Sequence, residues 1–357
     1  MTPDPTPDTA TPSEPHGDVR AALLGYGMAG REFHGPLLRA TAGIRVSHVV
    51  TSDADRSGAA QAENSGVTMV AQPDELWDKA DEFDLVVLAS PSAAHVPQAR
   101  SAIAIGKAVV VDKPLAVTGA DAREVVALAD QHAVPLTVFQ NRRWDPENLT
   151  ARRLLADAEL GRVLRYEARY ERWRPEPKHR WREDLPTEQG GGLLLDLQSH
   201  LVDAAMLAMG PVVAVYAELA AVTTAGHDVT FLALEHESGA HSHLSSTSLA
   251  GAVGPRLRIL GQSGAYLVAA VPGEPSAFDT QWADPDEAHR GWLVRGDERT
   301  AVRREPGDWS AFYAGVVAMV RDGAPPPVDP WGAVAVLEVL DAAQRSAADR
   351  TTVHLTP

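Results

Sequence analysis

The chain of 357 residues contains no cysteine, which removes disulfide frameworks, thiolate nucleophiles, cysteine-ligated zinc and iron–sulfur clusters together. Positive charge is short: 32 basic residues face 48 acidic ones, a formal net charge of −16 with a pI near 5.2. Such a surface repels polyphosphate and anionic lipid, so neither nucleic acid nor membrane is expected as a partner. No stretch approaches the roughly 18 uninterrupted apolar residues of a membrane span. The first residues lack the basic-then-apolar order of a signal peptide, and the expectation is a soluble cytoplasmic protein. Lysine is the scarcest charge, present only at Lys79, Lys107, Lys113 and Lys178. In so lysine-poor a chain each one is a candidate for a specific task. What remains is ordinary globular composition, 45% hydrophobic and 22% charged, in a chain long enough for two domains at roughly 150 residues each.

Residues 1–18 are proline, threonine and acid with almost nothing to bury, and read as a flexible tail. From Val19 short apolar runs (VRAALL, IRVSHVV, DLVVLA, AVVVD, PLTVFQ) alternate with amphipathic stretches, the signature of a parallel sheet with covering helices. LVVLA and AVVV are apolar at consecutive positions, as central strands buried on both faces require. Residues 19–140 thus form one domain, and the style shifts near Asn141. Residues 141–357 carry a helix-like PENLTARRLLADAEL, a strand-like RVLRYEARYERW, an arginine- and tryptophan-rich loop, and an apolar helix ending at Gly210. Four or five alternating strands, read as an antiparallel or mixed sheet, and two closing helices near 309–321 and 332–348 follow. Residues 272–306 are polar and irregular, without a readable fold. No internal repeat is present.

Gly25-Tyr26-Gly27-Met28-Ala29-Gly30 follows the first strand and opens a helix, where a G-x-G-x-x-G has mechanical meaning. Gly25 permits the tight turn, Gly27 lets backbone approach a pyrophosphate at the helix N-terminus, and Gly30 lets helix and strand pack closely. The bland alternative is a glycine turn without a ligand. The second strand ends in Val50-Thr51-Ser52-Asp53-Ala54-Asp55-Arg56. An acid there selects NAD through the ribose 2′-hydroxyl, and a basic residue favours NADP. With Thr51 and Ser52 first, Asp53 next and Arg56 beyond, both cofactors stay open, with a lean to NAD. Asp53 is equally readable as a helix cap.

Strand four ends in Ala89-Ser90-Pro91-Ser92-Ala93-Ala94-His95 and strand five in Val111-Asp112-Lys113-Pro114. Carboxyl ends of adjacent central strands line the ligand crevice of such a sheet, which places Lys113 at its edge beside the cofactor. In the second domain Asp196 and His200 stand four apart on an apolar helix, on one face. A carboxylate there is expensive unless paired or functional, and an imidazole one turn away suits a general base. A structural Asp–His pair explains the spacing as well. His236, His241 and His243 surround a hairpin without a clear acidic partner, so no metal is expected. Trp309, Phe312 and Tyr313, at helical spacing, read as core.

Taken in order, the glycine fingerprint, SPSAAH, AIGKAVVVDKPLAVT, VFQNRRWDP and GGGLLLDLQSHLVD resemble the Gfo/Idh/MocA family of NAD(P)-dependent oxidoreductases. The resemblance covers nearly everything from Val19 onward. It implies a doubly wound Rossmann domain, then an α/β domain with a large open, mostly antiparallel sheet that often serves in oligomers, here a homo-dimer or homo-tetramer. By this resemblance Lys113 matches the lysine of the family's Glu-Lys-Pro motif, and Asp196 and His200 match its catalytic pair. His95 and Asn141 fall near cofactor or substrate. Asp112 departs from the family's glutamate by one methylene. More narrowly, Tyr170-Glu171-Arg172-Trp173-Arg174-Pro175-Glu176 and His179-Arg180-Trp181-Arg182-Glu183 look like the subgroup that includes scyllo-inositol dehydrogenases. Arg142, Trp144, Arg174, Arg180 and Trp181 are therefore candidates to hold a polyhydroxylated ring by bidentate hydrogen bonds and stacking. A salt-bridge network is the bland reading of the arginines. Downstream of Pro272 the subgroup resemblance ends. The implied activity is hydride transfer between nicotinamide and a secondary alcohol or ketone of a sugar, inositol or related polyol. A non-catalytic nicotinamide-binding sensor and a redox-neutral glycosidase or lyase stay open beside it.

Overall fold

The computed structural model describes residues 17–268 and 291–355. The expected tail, apart from Gly17 and Asp18, lies outside the described residues, as do positions 269–290 of the segment left unread above.

The first sheet is built from β1 (Val19–Leu24), β2 (Ile44–Val50), β3 (Thr68–Val70), β4 (Leu85–Leu88), β5 (Ala108–Asp112) and β6 (Leu136–Phe139). They lie in the order β3-β2-β1-β4-β5-β6, every pairing parallel. Helices α1 (Gly35–Ala40), α2 (Ala54–Glu63), α3 (Pro73–Trp77), α4 (His95–Ala104) and α5 (Gly119–Gln131) alternate with the strands. Every residue of β4 and β5 is buried, because helices cover both faces. The order reverses between β1 and β4, and the crevice outside those strand ends is where such sheets bind ligands.

After β6 the chain passes through α6 (Pro146–Ala156), β7 (Val163–Glu171), a single turn α7 (Trp181–Asp184) and α8 (Ser199–Met209). It then forms β8 (Val212–Ala220), β9 (Val229–His236), β10 (His241–Thr247), β11 (Leu257–Gly261), β12 (Gly264–Val268), β13 (Gly291–Arg295) and β14 (Glu298–Val302). With the terminal β15 (Val353–His354), nine described strands make a second sheet in the order β14-β13-β12-β11-β7-β10-β9-β8-β15. Only β7 and β10 pair in parallel; the other described pairings are antiparallel. β9 and β10 alternate as a half-covered sheet must: Leu232, Leu234 and Leu244 are buried while Phe231, Ala233 and Ser245 on the other face are not. β13 and β14 occupy the end of the segment that had no readable fold.

The last two helices, α9 (Ser310–Asp322) and α10 (Pro330–Asp349), return to the first domain. Trp309, Phe312, Tyr313, Val316 and Met319 share a core with β1, β2 and α1, and α10 packs on both α5 and β8. The aromatic cluster is core, as its spacing indicated, and it packs α9 onto the first sheet.

Candidate active site

The glycine turn is shaped by what a side chain would meet there. Gly25 has φ +96°, and a Cβ on it would stand 2.7 Å from the Ala89 carbonyl oxygen, so the turns after β1 and β4 touch at the point where strand order reverses. A Cβ on Gly30 would overlap the Gly25 carbonyl, which is how closely helix and strand pack. At Gly27 a Cβ would meet only the Arg56 guanidinium, at 3.8 Å. This open backbone, at the head of the helical turn Ala29–His34, fits a dinucleotide pyrophosphate: amides are available, and the side chain beside them is a cation. Met28 is half-exposed on the same turn and Ala29 is buried.

The end of β2 resolves the capping question. The Asp53 carboxylate accepts from the Arg56 N–H at 3.0 Å as the N-cap of α2, and Arg56 Nε lies 3.6 Å from it. Thr51 Oγ1 accepts from the Asp53 N–H at 3.3 Å, and Ser52 is exposed.

His95 is fully enclosed. Its Nδ1 lies 2.8 Å from the Pro114 carbonyl oxygen and its Nε2 2.9 Å from that of Ser90. The ring ties the end of β4 to the end of β5 and shapes the crevice wall. Ser90 donates its hydroxyl to Gln98, and Pro91 begins the turn into α4. Asp112, also buried, accepts the Lys113 N–H at 2.9 Å and faces His34 Nε2 at 3.7 Å. Burial opposes its charge, but His34, Lys113 and His95 together hold the Asp112 carboxyl below the usual carboxylate range. His34 in turn bonds the Tyr313 hydroxyl of α9 through Nδ1 at 2.6 Å.

Lys113, followed by a cis peptide bond to Pro114, crosses from the first domain to the second. Its Nζ donates to Asp196 Oδ1 at 2.8 Å and to the Asp196 carbonyl at 2.6 Å. An ammonium has three donors, so one N–H is left for a ligand. Asp196 sits in a wide helical turn, Leu194–Gln198, that runs into α8; such turns recur at functional sites. Arg182 Nε adds a second cation 3.4 Å from Asp196 Oδ1. Against the cost of burial, Lys113 and Arg182 drive the Asp196 carboxyl far below its ordinary value. His200 stands on α8 in its first turn, 6% exposed, with its buried Nδ1 unpartnered. Burial first, then the positive charges of Lys113 and Arg142, push its pKa well below the ordinary imidazole value. Lys113, Asp196 and His200 are therefore brought together, with Asp196 serving Lys113 rather than the His200 ring.

The remaining candidates divide. Arg142 is enclosed, donates to Asp145 at 2.9 Å and lies over the rings of Tyr170 and Trp309; its Nε is buried without a partner. Trp144, partly buried, packs its ring edge-to-face on Phe312 with centroids 5.8 Å apart. Arg174 and Arg180 both donate to Glu183, at 2.8 and 3.0 Å, so the ion-pair reading holds for these two within their own loop. Trp181 stacks under Arg182 at 4.2 Å. Asn141 is buried at the end of β6. His236 bridges the Gly210 carbonyl and Ser242. Sequence reasoning passed over Arg182, Gln140 and His34. Arg182 had a signal, its place beside Trp181 in the basic loop; Gln140, buried at the tip of β6 with Oε1 unpartnered, had only its position at a strand end.

Comparison with known proteins agrees with this geometry. Residues 19–140 match the oxidoreductase family with an NAD-binding Rossmann fold, and residues 148–267 match the GFO/IDH/MocA C-terminal domain. The chain is 32% identical to the uncharacterized oxidoreductase YdgJ of Escherichia coli, over 95% of this chain and 99% of that one. It is 28% identical to the NADP(+)-linked scyllo-inositol 2-dehydrogenase IolW of Bacillus subtilis, over 94% and 96%. Among solved structures, the oxidoreductase yvaA from Bacillus subtilis superposes with a TM-score of 0.85 at 27% identity, covering 95% of this chain and 99% of that one. With an NAD-binding Rossmann domain and the matching C-terminal domain on one chain, this protein belongs to the Gfo/Idh/MocA family of oxidoreductases.

Proposed function

We propose that the protein is a dehydrogenase or reductase that moves a hydride between the nicotinamide of NAD or NADP and a secondary alcohol or ketone carbon of a sugar, inositol or related polyol. The observation that carries this is Lys113 Nζ, held by two bonds to Asp196 with one donor to spare, close enough to the buried His200 ring for its charge to act on it. When bound, the nicotinamide supplies or accepts the hydride; the glycines at 25, 27 and 30 and the exposed end of β2 are the residues that hold the dinucleotide.

The chain's own part is proton and charge handling. The depressed pKa keeps the His200 ring neutral near pH 7, so the imidazole takes the hydroxyl proton as the carbinol is oxidised and returns it on reduction. Lys113 donates to the same oxygen and stabilises the negative charge that grows on it. Asp196 and Arg182 fix the ammonium so that this donor needs no reorganisation. The names of relatives such as a 1,5-anhydro-D-fructose reductase and a D-apiose dehydrogenase support a carbohydrate substrate. The open face of the second sheet, with Tyr216 and Trp292 exposed, supports a homo-dimer or homo-tetramer. No described helix is long and apolar enough to cross a membrane.

The test is absorbance of reduced nicotinamide while the protein meets NAD or NADP with a panel of inositols and aldoses, and their keto forms with NADH or NADPH. Turnover that disappears in Lys113→Ala supports the reading. Dinucleotide binding without turnover across the panel overturns it.

A further inference from the structure

We infer that the site selects the 2′-phosphorylated dinucleotide, NADP(H), over NAD(H), and that Arg56 is the selecting residue. The inference rests on the dinucleotide-binding part of the proposed function and replaces the lean to NAD drawn from Asp53.

An NAD-selecting site presents a carboxylate at the end of β2 to both ribose hydroxyls. Here that position is Thr51, whose backbone N–H is already bonded to Val70. Its hydroxyl accepts from the Asp53 N–H, which leaves the hydroxyl proton to donate outward. The nearest carboxylate, Asp53, caps α2 through Oδ1, and its Oδ2 lies 3.6 Å from Arg56 Nε. The 2′ position therefore meets the Thr51 hydroxyl and the Arg56 guanidinium, donors that suit a 2′-phosphate, in place of the carboxylate an NAD site presents at the strand end.

Arg56 supplies the charge. Its side chain is 55% exposed, yet its guanidinium overhangs the glycine turn, 3.8 Å from where a Gly27 Cβ would be and, chain neighbours aside, the sole group of the described residues within 4 Å of that point. It thus stands between the pyrophosphate cradle and the first turn of α2, the place an adenosine ribose must occupy. The guanidinium can engage phosphate bidentately, while Asp53 keeps its bond to the Arg56 amide.

The experiment is a binding titration independent of turnover: reduced-nicotinamide fluorescence with NADPH and NADH, and displacement by 2′,5′-ADP against 5′-AMP. The expected result is NADPH tighter by about tenfold or more, with 2′,5′-ADP the better competitor. Arg56→Gln should bring the two affinities within about twofold of each other, chiefly by weakening NADPH. Thr51→Asp, which restores the missing carboxylate, should favour NADH. NADH binding as tightly as NADPH to wild type, or a ratio untouched by Arg56→Gln, overturns the inference while the dehydrogenase reading stands. NADPH preference without turnover sinks the dehydrogenase reading and leaves this one intact.

Discussion

Replacing Lys113 by methionine removes one charge and keeps most of the volume, and its consequences for catalysis and stability separate cleanly. The spare N–H is the donor to the reacting oxygen, and deleting one such preorganised donor lowers kcat by roughly 10²–10³, about 2.7–4 kcal/mol. The same change leaves Asp196 buried with Arg182 alone, 3.4 Å away. Removing one partner of a buried pair costs about 3–5 kcal/mol. Because the Lys113 and Asp196 side chains keep 11% and 15% exposure and Arg182 stays, about 2 kcal/mol is the expected loss. Asp196→Asn in the Lys113→Met background removes the stranded charge, so it should recover most of that stability while kcat stays low. Urea unfolding and steady-state kinetics on the two variants and the double variant read both quantities. A kcat for Lys113→Met within about threefold of wild type, or one restored by Asp196→Asn, would refute the assignment.

His200 must be neutral to accept a proton, so oxidation should be flat near neutrality and fall as pH drops below the ordinary imidazole range; His200→Asn should lower kcat by roughly 10²–10⁴. Its folded-state pKa is depressed, so the unfolded chain binds more protons between the folded value and about 6.5, and stability should decline as pH falls through that window. Urea midpoints at pH 7.5 and 5.5, compared with His200→Asn, check the sign. Gly27→Ala should fold with nearly wild-type stability yet weaken dinucleotide binding by about tenfold, whereas Gly30→Ala, which overlaps the Gly25 carbonyl, should destabilise by about 1–3 kcal/mol in thermal melts. Arg143→Ala strands Asp203, which accepts from it at 2.9 and 2.7 Å, and should lower stability by about 3 kcal/mol in urea with kcat unchanged.

Periodicity made the architecture legible because it reports which face of a segment is buried. The runs ending at Leu24, Val50, Leu88 and Val111 lie in the parallel sheet, and the alternating run around Leu232 and Leu244 lies in the second. Chemistry was legible where residue type and place were both unusual: a lysine in a chain nearly without lysine, an Asp and a His on an apolar helix. Partners were not. Lys113 and Asp196 are 83 positions apart, and His34 and Tyr313 are 279, so nothing local indicates that they meet. Asp53 could be read as ligand or cap because both uses need the same residue just before a helix. The Trp144 contact with Phe312 was equally hidden, because that neighbour arrives only with α9.

The most direct test of the account is a single-turnover mixing experiment with a polyol substrate carrying deuterium at the reacting carbon, observed as reduced nicotinamide forms. The account predicts a burst that slows with deuterium in wild type and is abolished in Lys113→Met and His200→Asn. A burst indifferent to both variants, or dinucleotide and polyol bound together with no reduction, would contradict it.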